Sequence, residues 1–194
     1  MKSPKSKKAF RVISSRTVFR GYVSQLDVLQ IQTASGRRVE RELIKHPGAV
    51  VIIPRLKDGR FILIRQLRVA TGRKIWELPA GTLERGESTF QCARRELQEE
   101  TCWKPGRLRK VLEFFPTPGI STEKMYLFIA SDLRKATNLK PDLDEELEVK
   151  TFSLPQIEKM IRKAGIVDGK TILGFLFFLK FFSLDFFPRK AKAR

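Results

Sequence analysis

GTLERGESTFQCARRELQEETCW, residues 81–103, decides how the rest of the chain is read. Ser88 followed three residues later by Gln91 forms a capping box, in which each side chain satisfies a backbone N–H that the first helical turn leaves without a partner. Phe90, Ala93 and Leu97 then recur as one apolar stripe, so the segment predicts a helix from Ser88 to Thr101. Glu96, Glu99 and Glu100 stand at i, i+3 and i+4 along one side of that helix. Like charges so placed disfavour an isolated helix by roughly 0.2–0.5 kcal/mol per pair unless cations intervene, and Arg95 answers only part of the charge. Two readings of the cluster stand side by side: a solvated acidic face, or a set of hard oxygen ligands suited to magnesium or manganese.

Around this segment the chain is ordinary in all but charge. Its 194 residues fit one compact domain, and a hydrophobic share of 42% with 31% charged residues excludes a disordered chain. Lys and Arg number 39 against 21 Asp and Glu, a net +18 that favours anionic partners: nucleotides, nucleic acid or an acidic membrane surface. Cys92 and Cys102 have neither the spacing nor the companions of a zinc site or disulfide scaffold, which fits reduced thiols in a cytoplasmic protein. The basic start Met1 to Lys8 leads into no apolar run, so it is not a secretory signal. ILGFLFFLKFFSLDFF, residues 172–187, is shorter than a membrane span and carries Lys180 and Asp185. It predicts a buried C-terminal helix, with a subunit interface or a membrane surface as other settings, and no transmembrane span.

From Phe10 to about His46, alternating stretches broken by Ala34-Ser35-Gly36 predict antiparallel strands. AVVIIP (residues 49–54) and FILIRQ (residues 61–66), joined through Lys57-Asp58-Gly59, predict a central hairpin covered on both faces. Pro79 and Gly81 argue against a regular element in the WELPAG stretch from Trp76. Strands are expected over residues 107–115, 124–130 and 146–152, followed by a helix opened by Ser153 and Pro155 and stopped near Gly165, and by the Phe-rich helix after Gly169. Together these predict an α+β protein with a mixed sheet packed between helices.

The spacing of the whole quoted segment resembles the Nudix box: Gly, five residues, Glu, seven residues, Arg-Glu, an aliphatic residue, any residue, Glu-Glu, any residue, Gly and a bulky apolar residue. Those places hold Gly81, Glu87, Arg95, Glu96, Leu97, Glu99, Glu100, Cys102 and Trp103. Cys102 departs from the glycine that closes the helix at positive φ, at a cost of about 1 kcal/mol or a shifted turn. The resemblance implies the Nudix fold, an α/β/α sandwich preceded by an N-terminal strand region. The implied organisation is a basic tail over 1–9, strands exchanged in a dimer over 10–46, a hydrolase domain over 47–187, and a second basic tail over 188–194. It also implies that Glu96, Glu99 and Glu100 bind Mg2+ or Mn2+ with the Ala80 carbonyl, that Glu87 supports the site, and that Arg95 orients the carboxylates. Such cations would neutralise a diphosphate, lower the pKa of a bound water and stabilise the leaving phosphate.

Flanking motifs are similar to the ADP-ribose and nucleoside diphosphate sugar pyrophosphatases of that family: HPGAV from His46, RQLR from Arg65, ELPAG from Glu77, and PGISTE from Pro118, which lies fifteen residues past Trp103. By this resemblance Arg68 holds the diphosphate and Arg65, Glu77 and Glu123 line the sugar and phosphate region. The base that activates water is expected among Asp142, Asp144, Glu145 and Glu146, with Glu145 favoured and Glu146 second. His46, before Pro-Gly, reads as a turn residue. The expected substrate is ADP-ribose or a related nucleoside diphosphate sugar, and the expected assembly a homodimer. Two other functions fit the same residues: pyrophosphate removal from RNA 5′ ends or nucleoside triphosphates, and a non-catalytic nucleic-acid-binding module.

Overall fold

The computed structural model describes residues 9–136 and 147–182. They fall into two compact units. The first runs up to Gly48 and includes Phe115–Lys124; it holds β1 (Phe10–Arg20), β2 (Gln25–Thr33) and β3 (Arg38–Lys45), an antiparallel meander in that order. The turn at Gly36 joins β2 to β3, with Gly36 at φ +83 and its N–H donating to the Thr33 carbonyl at 3.0 Å. Asp27 is buried in this sheet and accepts hydrogen bonds from Lys45 (2.6 Å), Gln25 (2.6 Å) and Thr17 (2.9 Å). The Lys45 ammonium above all, with Gln25, holds its carboxyl well below the usual carboxylate range. A return strand-like segment closes the unit, where Ile44 donates to Ile120 and Thr122 donates back to Ile44.

In the second unit, β4 (Ala49–Pro54) and β5 (Phe61–Arg68) begin as the expected hairpin but share only an isolated bridge between Arg55 and Phe61. They then part into different sheets. β4 pairs with β7 (Ala80–Thr82) on one edge and runs parallel to β10 (Met125–Ser131) on the other, with β9 (Arg107–Phe114) antiparallel beyond. β5 lies between β12 (Glu148–Phe152) and β6 (Arg73–Glu77). A small sheet of β8 (Trp103–Lys104) and β11 (Arg134–Lys135) completes the strands. The expectation of no regular element around WELPAG is corrected. β6 and β7 flank Leu78 and Pro79, because those two residues carry the chain from one sheet to the other while the strands on either side find partners.

Alternation along β4 explains the layering. Val51 and Ile53 enter a core shared with Ile157 of α2 (Leu154–Arg162) and Phe175 and Phe178 of α3 (Gly169–Phe181). Val50 and Ile52 enter a second core with Cys92, Ala93 and Leu97 of α1 (Thr89–Thr101). Successive strand residues point to opposite faces, so a continuous apolar run requires cover on both, as expected for the sandwich. Phe61 is held edge-to-face by Phe175 and Phe178, at 5.4 and 5.2 Å. None of the helices of the described residues is long and apolar enough to cross a membrane.

The helix ends follow the local chemistry with one exception. Ser88 caps α1 and exchanges both capping-box bonds with Gln91; at α2 the Ser153 N–H and hydroxyl both donate to Gln156 Oε1, at 2.7 and 3.0 Å. α2 ends before the expected Gly165, and Ala164 takes the left-handed conformation at φ 54. At the end of α1, Cys102 occupies the glycine position at φ 58, ψ 28 and donates its N–H to the Gln98 carbonyl. The turn is therefore kept and its strain with it. Cys102→Gly is expected to raise stability by about 1 kcal/mol, read as a higher denaturant midpoint at unchanged slope.

Candidate active site

One guanidinium organises the acidic side of α1. Arg95 makes a bidentate contact with Glu87, Nε to Oε1 and Nη2 to Oε2, both at 2.9 Å. Its Nη1 donates to Glu96 at 2.7 Å and to Glu99 at 3.0 Å, and Nη2 also reaches the Thr82 carbonyl at 3.2 Å. These contacts pull together residues from the loop before α1, from the helix itself and from β7. The Arg95 hydrogen bonds, opposed by burial, hold the Glu87 carboxyl below its ordinary value, and the same contacts push the Arg95 pKa upward. Glu96 goes the other way. Burial, followed by the charges of Glu99 and Glu87, outweighs its own contact with Arg95 and raises its pKa.

β7 comes so close to α1 that only glycine fits between them. A Cβ on Gly81 would lie 1.9 Å from the Glu96 carboxyl carbon and 2.0 Å from its Oε1. The next residue back, Ala80, donates its N–H to Glu100 Oε2 at 2.9 Å, which aligns the loop with the last turn of the helix. Among the described residues, no three carboxylate, thiol or imidazole groups already form a metal shell; Glu87, Glu96 and Glu99 close on Arg95 instead. Their chemistry nevertheless fits a hard divalent cation. The Glu96 carboxylate fills the space that a side chain at position 81 would take, and several carboxylates share a single positive charge. A bound cation inverts that balance and favours the ionised forms.

A second cluster backs the same loop. Glu77, only 1% exposed, accepts from Arg68 Nε at 2.7 Å and Arg68 Nη2 at 2.8 Å, and also from the Lys170 ammonium. Burial works to raise the Glu77 pKa, but Arg68 and Lys170 outweigh it and hold the carboxyl low. Hydrogen bonding to Glu77 is the main reason the Arg68 pKa rises; the charge of Glu100 adds to it, so the two clusters act on each other. Asp168, the N-cap of α3, accepts from Lys170 Nζ (2.9 Å) and from the Thr171 N–H (2.9 Å), and the Thr171 hydroxyl accepts the buried Leu78 N–H at 2.8 Å. The residues of α3 were not among the expected site residues. Asp168 before an apolar helix is a legible cap, but nothing local signals that Lys170 meets a partner 93 positions earlier.

Other expected residues lie apart. Arg65 is three positions from Arg68 on β5 and so faces the opposite side, where it pairs with Glu148 at 3.5 Å and lies 5.9 Å from the Trp76 ring. The structure does not bring it to the Arg68 cluster. Glu123 belongs to the first unit, its N–H bonded to Ser121 Oγ at 3.0 Å. Glu145 and Glu146, with Asp142 and Asp144, lie outside the described residues. His46 accepts the Gly48 N–H on Nδ1 at 3.1 Å, and its own N–H donates to Thr122, which matches the turn role expected for it. Burial pushes the Cys92 thiol up, so this cysteine is a core residue and not a nucleophile.

The contact between β7 and α1 sets a test. Gly81→Ala is expected to expel the Glu96 carboxylate and weaken divalent-metal binding by at least about tenfold, read by manganese titration. Helix content by circular dichroism should stay unchanged.

Comparison with known proteins agrees with this geometry. A NUDIX domain model matches residues 45–172. An ADP-ribose pyrophosphatase of Bacillus subtilis is 35% identical over 163 residues, covering 83% of this chain and 88% of that protein. A GDP-mannose pyrophosphatase of Escherichia coli is 35% identical over 152 residues, covering 70% and 79%. In fold, the chain is similar to the crystal structure of an ADP compounds hydrolase, with a TM-score of 0.78 at 23% identity, covering 91% of this chain and 95% of that one. With the glutamates, Arg95 and the close-packed Gly81 in their places, the chain belongs to the Nudix family of hydrolases.

Proposed function

We propose that this Nudix hydrolase cleaves the diphosphate of ADP-ribose or a related nucleoside diphosphate sugar, releasing a nucleoside monophosphate and a sugar phosphate. The observation that carries the reading is the pairing of two clusters on one loop: acidic ligands around Arg95 and, behind Ala80, the buried Glu77 that presents Arg68. The named relatives act on substrates of this class. Nudix hydrolases generally need a divalent metal, and magnesium, with manganese as the alternative, suits the oxygen donors here. Glu96, Glu99, Glu100 and the Ala80 carbonyl would hold it, with Glu87 in support, and when bound it would neutralise the diphosphate and activate water.

The chain's own groups do the rest. Arg95 keeps Glu87, Glu96 and Glu99 in register. Arg68 holds the diphosphate with the guanidinium edge not used by Glu77, which suits a phosphate's geometry. Glu123 is carried over from the family resemblance as a substrate contact; Arg65, on the face of β5 opposite Arg68, is not. Glu145, with Glu146 second, takes the proton of the attacking water. The protein acts as a cytoplasmic homodimer that exchanges its N-terminal strands; the exposed apolar residues Phe10, Val12, Val18 and Phe19 along β1 support a partner there.

With magnesium, the protein is expected to yield a monophosphate from at least one of ADP-ribose, ADP-glucose and GDP-mannose. Product identity by chromatography checks this, and no monophosphate from any of them contradicts it. Glu100→Gln should lower kcat by roughly a hundredfold or more while leaving the unfolding midpoint nearly unchanged. A second reading, hydrolysis at RNA 5′ ends, draws on the +18 charge. Strong competition by RNA against sugar-nucleotide turnover would favour it.

A further inference from the structure

Lys170 stands where helix electrostatics disfavours it. It is in the first turn of α3, at the positive end of the helix dipole, and is only 13% exposed. Its ammonium is spent on Glu77 and on Asp168, at 2.9 Å for the latter. Glu77 does not need a second cation to be satisfied, since Arg68 already reaches both of its oxygens. A carboxylate that faced Arg68 alone would cancel most of the guanidinium's charge. Shared with Lys170, it holds Arg68 in place with less of that charge neutralised.

We propose that Lys170 is a positioning residue for diphosphate recognition: through the buried Glu77 it orients Arg68 and leaves the outer edge of the guanidinium charged toward an anionic diphosphate. The proposal rests on the reading of Arg68 as the residue that holds the diphosphate. Asp168 fixes the Lys170 ammonium and caps α3, and Thr171 binds the Leu78 N–H, so the first turn of α3 and the 77–78 segment are bonded together. Lys170 touches Glu77, not the substrate, and acts through Arg68.

A double-mutant cycle with inorganic pyrophosphate as the probe, read by calorimetry without added metal, separates this role from a merely structural one. Lys170→Met is expected to weaken pyrophosphate binding about tenfold, Lys170→Arg to stay within about twofold of the natural protein, and Lys170→Met to add nothing in an Arg68→Gln background. In turnover of ADP-ribose the methionine variant should raise KM with little change in kcat. Lys170→Gln, which keeps a donor to Glu77 without the charge, serves the same cycle if the methionine variant does not fold. Unchanged pyrophosphate affinity in Lys170→Met, an equal loss in both backgrounds, or no pyrophosphate binding by the natural protein each overturns the proposal. If the predicted cycle is found but ADP-ribose is not hydrolysed, the proposed reaction falls and the positioning role stands.

Discussion

A single arginine among carboxylates is the constraint on which the site depends. Arg95 bonds to Glu87, Glu96, Glu99 and the Thr82 carbonyl, so one side chain ties the loop, the helix and β7 together. The arrangement is electrostatically uneven, because Glu96 is half-buried beside like charges that Arg95 only partly offsets. A helix would not keep such a cluster for stability, since a buried charge is costly unless it is fully paired. The rest of the fold holds it in place. The apolar stripe of Cys92, Ala93 and Leu97 fastens α1 to β4, and the absence of a side chain at Gly81 lets Glu96 rest against the neighbouring strand.

Residues 77–80 tie the Arg95 and Arg68 clusters to each other and to the core. Ala80 bonds to Glu100 through its N–H, Leu78 is tied to Thr171, and Glu77 is gripped by Arg68 and Lys170. Leu78 is itself buried in the core beneath α3, with Gly174 close against it. A four-residue stretch thus carries a backbone donor to Glu100, an anchor in the core and the buried counter-ion of Arg68. Such preorganisation by packed neighbours is what keeps charged groups aimed before substrate arrives.

Local chemistry made the helix and its ends legible. The Ser88–Gln91 box and the Glu spacing are short-range signals and appear as expected, whereas in the apolar stripe Ala93 and Leu97 are buried together with Cys92 and Phe90 is 47% exposed. The double-faced burial of β4 and the mixed sheet between helices were legible too, from a continuous apolar run. What escaped depends on partners distant in sequence. The turn between β4 and β5 predicts a hairpin, but β7 and β10 flank β4, and β6 and β12 flank β5. No periodicity encodes that choice. The Lys170–Glu77 contact, with 93 positions between its members, is of the same kind. The separation of Arg65 from Arg68 was recoverable, because an odd spacing on a strand puts two side chains on opposite faces.

The central claim is that the glutamates gathered by Arg95 form a divalent-cation site. It is tested most directly by titrating manganese into the natural protein and into Glu96→Gln while following the free ion by electron paramagnetic resonance. The account predicts that the natural protein depletes the free Mn2+ signal and that the variant leaves most of it. Equal depletion by both proteins, or none by either, would contradict it.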